Sequence, residues 1–132
     1  MNTLKLDIKE IEIDRTKELF ISLFVDETEV FEPNSKLTNA IVFEELEEST
    51  ISDGHFLIFT CSCGVADCAG WEKVKVKHDN RETAWTLEFE GSQYNFKFDK
   101  VQYVDEIKAM RNRINEEFLK LQPEVVIFPE ED

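Results

Sequence analysis

Val74-Lys75-Val76-Lys77-His78, Trp85-Thr86-Leu87-Glu88-Phe89 and Tyr94-Asn95-Phe96-Lys97-Phe98 are three short runs in which apolar and polar residues alternate. A period of two puts one residue set on each face of a β-strand. The three runs therefore predict a meander with one ring-bearing face and one polar face. Gly91-Ser92 suits the tight turn between the last two strands. Lys73, Lys75, Lys77 and Glu88 fall on the polar face, where cross-strand pairs are expected. The opposite face cannot stay in water and needs a cover.

That cover is read directly downstream. Val104, Ile107, Met110 (or Arg111), Ile114, Phe118 and Leu121 recur at steps of three and four, the stripe of an amphipathic helix. Asp99, three residues before Gln102, resembles a capping box, and Pro123 is expected to stop the helix. The segment 125–128 is apolar and is expected to add an edge strand or dock on the surface.

Upstream, Leu4 to Ile8 alternates as a half-buried strand, and Ile11 and Ile13 continue after a one-residue slip that suggests a bulge. Glu18 to Val25 reads as a more deeply buried strand. Asp26-Glu27-Thr28-Glu29 reads as a hairpin turn returning through Val30 and Phe31. Leu37 to Glu48 is read as a short helix because its second half is rich in helix formers, although Ile41-Val42-Phe43 also fits a strand. Phe56 to Thr60 is one apolar strand. The expected fold is α+β: an antiparallel β-meander packed against a long C-terminal amphipathic helix, with additional N-terminal strands, in one domain over residues 1–132.

The chain carries 29 acidic and 15 basic residues, a formal net charge of −14. Such a charge repels nucleic-acid phosphates and anionic lipids and favours a basic protein partner. Nucleic acid and membrane are therefore not expected as partners. The N-terminus has no apolar signal-like stretch, and a cytoplasmic location with reduced thiols is expected. The acidic candidates for partner contact are Glu44, Glu45, Glu47 and Glu48, and the terminal Glu130, Glu131 and Asp132. A solvated face is the plain alternative for each.

Three cysteines, Cys61, Cys63 and Cys68, lie within eight residues. They admit a zinc centre of three thiolates plus one ligand, a redox pair, or simple packing as small hydrophobes. Were Phe56–Thr60 to form a hairpin with Val74–His78, Cys61 would pair near Lys73 or Val74. His55 and His78 would then lie too far along their strands to complete a metal shell. Packing is the preferred reading, and no cofactor is called for. No nucleophile elbow, phosphate-cradling loop or paired zinc histidines are present, so no catalytic residue is assigned and the chain is not expected to be an enzyme.

The string Thr60-Cys61-Ser62-Cys63-Gly64, Cys68-Ala69-Gly70, followed by Val74, Val76 and His78, Ala84-Trp85, Phe96 and Phe98, and Gln102-Tyr103, resembles a group of small uncharacterised bacterial proteins. The likeness covers roughly residues 55–108. Some of that group look like immunity proteins of polymorphic or contact-dependent toxin systems. The resemblance implies a non-enzymatic toxin inhibitor that covers a basic toxin domain stoichiometrically. The alternative is a small metal- or thiol-dependent module built on Cys61 to Cys68.

Overall fold

The computed structural model describes residues 1–31, 40–60, 72–89 and 91–123. Cys61, Cys63 and Cys68, the segment 125–128 and the acidic end Glu130, Glu131 and Asp132 lie outside these residues. The elements in chain order are β1 (Leu4–Ile13), β2 (Thr16–Val25), β3 (Thr28–Glu29), β4 (Ala40–Ile41), α1 (Phe43–Glu48), β5 (Gly54–Phe56), β6 (Phe59–Thr60), β7 (Val74–His78), β8 (Glu82–Phe89), β9 (Ser92–Asp99) and α2 (Lys100–Glu117). They form three antiparallel sheets ordered β1-β2-β3, β4-β6 and β5-β7-β8-β9. The architecture is α+β, with α2 packed on the sheets.

The meander follows the alternation. Val76 faces Trp85 and Trp85 faces Phe96, while Leu87 faces Tyr94, so the rings share one face. Trp85 and Leu87 are fully buried, and Tyr94 and Phe96, nearer the margin, are half-buried. Trp85 is the hub, with Phe59, Phe96, Phe98 and Tyr103 all meeting it at 5.2–6.3 Å between centroids in edge-to-face geometry. This is the arrangement that ring quadrupoles favour. On the outer face Lys75 and Lys77 stand opposite Thr86 and Ala84, and Glu88 stands opposite Gln93, so neither lysine is paired with Glu88.

The helix seals that face with Tyr103, Ile107 and Met110, and Val104 and Ile114 pack at its margin. Asp99 caps it by accepting from the Gln102 N–H at 3.2 Å. The Gln102 side chain does not complete a capping box. It reaches β1 instead, accepting from the Leu4 N–H at 2.9 Å and donating to the Leu4 carbonyl. Glu106 accepts from the Leu6 N–H at 2.8 Å. One helix thus covers both the sheet face and the open edge of β1.

Two expectations for this helix are corrected. It ends at Glu117, not at Pro123, and Phe118 is not part of its apolar stripe. Phe118 adopts the left-handed conformation (φ 53°) and is 90% exposed. The reversal there carries the chain back so that Leu121 bridges to Leu19 and the Gln122 N–H donates to the Leu19 carbonyl. Leu121 reaches the core along this return path, which a continued helix would not provide.

Three further boundaries differ. β1 and β2 pair without a bulge across ten successive positions, from Leu4 opposite Val25 to Ile13 opposite Thr16. The slip at Ile11 is a change of face: Leu4, Leu6 and Ile8 share one side, Ile11 and Ile13 the other. Asp14 and Arg15 close this hairpin, and Asp26 and Glu27 close the next, all four with positive φ. That is the type I′ geometry which matches strand twist. Of the helix expected over Leu37 to Glu48, Phe43–Glu48 is helical and Ala40–Ile41 is a strand, while residues 37–39 lie outside those described. Finally, Phe56 to Thr60 is not one strand. β5 and β6 belong to different sheets, and an Ile58 N–H to Phe56 carbonyl bond marks the bend between them.

Candidate functional site

The acidic helix α1 is the element on which sequence candidates can be placed. Its four carboxylates divide into two pairs. Glu45 turns inward and accepts from the Leu57 N–H at 2.9 Å, holding the bend between β5 and β6. Glu47 takes a two-pronged grip from Arg111 of α2, with Arg111 Nε donating to Glu47 Oε2 at 2.9 Å and the second bond running from Nη2 to Oε1. The Arg111 guanidinium also lies over the Phe43 ring, 5.1 Å from its centroid. The hydrogen bond to Glu47 raises the Arg111 pKa above its ordinary value. A planar fork on a carboxylate is a strong, directional contact, so Arg111 fastens α1 to α2. Glu44 and Glu48 are exposed.

Two depressions flank this fastening. One lies between β4, α1 and the end of α2, lined by Ile41, Phe43, Glu44, Ile114, Leu121 and Pro123 among others. The other is bordered by Glu47, Thr50, Ile51, Ile107 and Lys108. Arg111 lines both. Ile51 is 81% exposed at the rim of the second. The surface thus combines free carboxylates, an exposed aliphatic side chain and an arginine already held in place. Charged rims around apolar patches are the composition of protein-binding surfaces.

Behind it runs a buried polar chain. The Trp85 Nε1–H donates to the Tyr103 hydroxyl at 3.1 Å, and that hydroxyl shares a 2.5 Å bond with Ser49 Oγ, which donates to the Leu46 carbonyl. Burial pushes the Tyr103 phenol up to about 12. His78 adds the second half: Nε2 donates to the Ser49 carbonyl at 2.6 Å, and Nδ1 meets Thr83 Oγ1 at 2.8 Å. Although a serine, a histidine and a tyrosine converge, the imidazole reaches the carbonyl of Ser49 rather than its hydroxyl. That hydroxyl is fully buried. The arrangement ties α1, β7, β8 and α2 together and does not present a nucleophile to a substrate.

For the cysteine candidates, Phe56 stands opposite Val74 and His55 opposite Lys75. Val74 is thus taken by Phe56, not by the end of the apolar run, and the expected pairing of Cys61 near Lys73 or Val74 falls on a residue outside those described. The distances that argued against His55 and His78 as partners of the thiols fall with it. His78 is engaged at both ring nitrogens. Among the described residues no three His, Cys, Asp or Glu side chains gather to hold a metal ion. Among the same residues no helix is long and apolar enough to cross a membrane. No protein-family model, curated protein or solved structure matches this chain.

Neither the Arg111–Glu47 pair nor the linkage of Tyr103, Ser49 and His78 can be read from local sequence. Arg111 is 64 residues from Glu47, and local spacing carries no signal for such a pair.

Proposed function

We propose that this protein is a non-enzymatic inhibitor that binds a basic protein partner stoichiometrically, in the manner of an immunity protein that neutralises a bacterial toxin domain. The observation that carries this reading is the division of labour on α1. Glu45 and Glu47 hold the fold, which leaves Glu44 and Glu48 free on a rigidly mounted helix beside two depressions. The net charge of −14 supports it, since an acidic surface complements a cationic cleft and speeds encounter with it. The resemblance of residues 55–108 to small uncharacterised bacterial proteins, some of which look like immunity proteins, points the same way.

On this reading the partner is a toxin domain encoded beside the gene for this chain. Titrating the purified toxin domain with this protein should abolish toxin activity linearly, reaching zero at one equivalent. Toxin activity that persists at several equivalents would overturn the proposal.

A further inference from the structure

A residue with a side chain adopts the left-handed backbone only at a cost, and glycine or asparagine is the usual occupant where a helix ends this way. At the end of α2 the position belongs to Phe118, with φ 53° and ψ 45°. Its ring gains nothing inside the fold to offset that cost, since Phe118 is 90% exposed. Nor is the ring loosely carried. The Phe118 and Leu119 N–H groups both donate to the Ile114 carbonyl, which fixes the turn that presents it. A strained backbone that shows an aromatic ring to solvent from a fixed turn points to a use for the ring.

The surface beside the ring suits an apolar group. Leu119, the next residue, lines the groove between β4, α1 and the end of α2, together with Phe43, Ile114 and Leu121. Two charged residues line the same groove, Glu44 and Arg111. Arg111 is taken by Glu47. Glu44 adds to the rise in the Arg111 pKa through its charge, but it makes no hydrogen bond or ion pair among the described residues.

The charges around the ring are mostly acidic. The last turn of α2 holds Glu116 and Glu117 and no basic residue, so the negative end of the helix is reinforced there and not offset. Arg113, one turn back, is shared between Glu117 and Asp7. Glu18 borders the return segment and accepts from Gln122 Nε2 at 3.0 Å. Lys120, exposed just past the turn, stands against Glu44, Glu116 and the carbonyl end of the helix.

We propose that Phe118 and the adjoining groove form the apolar centre of a protein-binding face, which takes up a partner segment carrying an apolar side chain flanked by lysine or arginine. The apolar side chain fills the groove beside the Phe118 ring. The flanking cations meet Glu44 on one side and Glu116 with the end of α2 on the other. Binding energy in protein interfaces concentrates in such apolar centres inside a charged rim. That the partner is a toxin domain rests on the inhibitor reading; the face and the chemistry of its occupant do not.

Phe118→Gly tests this, because its two readouts should move in opposite directions. The variant relieves the left-handed backbone and should unfold at a higher urea midpoint. It should nevertheless bind the toxin domain about thirtyfold more weakly, chiefly through faster dissociation. Phe118→Trp keeps a ring and should retain binding. Equal binding by the native chain and Phe118→Gly would overturn the proposal and leave the inhibitor reading standing. A native chain that does not bind the toxin domain would end the inhibitor reading instead. The face is then tested alone, with a short peptide of tryptophan and leucine flanked by arginines, added to the full isotope-labelled chain. The amide signals of Ile114, Phe118 and Leu119 should shift on titration, and much less so in Phe118→Gly. No shift at these residues would overturn the proposal, as would equal shifts with a peptide carrying glutamates in place of the arginines.

Discussion

Tyr103 is wholly buried, so its hydroxyl must find partners inside the fold, and it finds Trp85 Nε1–H and Ser49 Oγ. Tyr103→Phe leaves a buried indole donor unsatisfied, which costs about 1–3 kcal/mol. Urea unfolding at neutral pH should show that loss. The pH dependence has a fixed sign. Burial raises the phenol from 10 in the unfolded chain to about 12 in the folded one. Below the unfolded value both states carry the neutral phenol, and the full contribution of Tyr103 is present. Between the two values the unfolded chain ionises first, so stability falls as pH rises, by about 1.4 kcal/mol per unit. The advantage of the native protein over Tyr103→Phe should therefore be constant below pH 10 and shrink from there towards 12. An advantage that persists unchanged across that window would contradict the buried placement of the phenol.

Among the elements, α2 shows what periodicity reveals and what it hides. Val104, Ile107, Met110 and Ile114 are legible because a three-and-four rhythm on a helix can only mark one face. Phe118 keeps the rhythm yet points to solvent, because the backbone reverses at that residue and spacing cannot show a reversal. A left-handed backbone at a residue with a side chain is costly, and glycine relieves it. Phe118→Gly should therefore stabilise the fold by about 1 kcal/mol, read as a higher urea midpoint with an unchanged slope. A lower midpoint would mean that the Phe118 ring is not exposed as described. The same limit explains Phe56 to Thr60. Phe56, Leu57, Ile58 and Phe59 are all buried, so the run has no polar residue to betray the bend at Leu57. Ile11 and Ile13 mark the opposite case, where a phase shift in the pattern records a change of face and not a bulge.

At the scale of the whole molecule, charge is unevenly used. Glu45, Glu47 and Glu106 are consumed by internal hydrogen bonds, and Lys75, Lys77 and Lys97 share the outer sheet face with Glu82 and Glu88. The acidic run on α1 was legible as a run, but its division into holding and free carboxylates depends on partners 12 and 64 residues away. The fold class was legible because alternation and helical rhythm are local; the site was legible only as composition. The central claim is that Glu44 and Glu48 present charge to a basic partner from a fixed helix. Stopped-flow association with the basic toxin domain, at low and high salt, tests it most directly. The rate should fall steeply with salt, and the Glu44→Lys/Glu48→Lys variant should lose about tenfold in association rate with little change in dissociation. An association rate indifferent to both salt and the double reversal would contradict it.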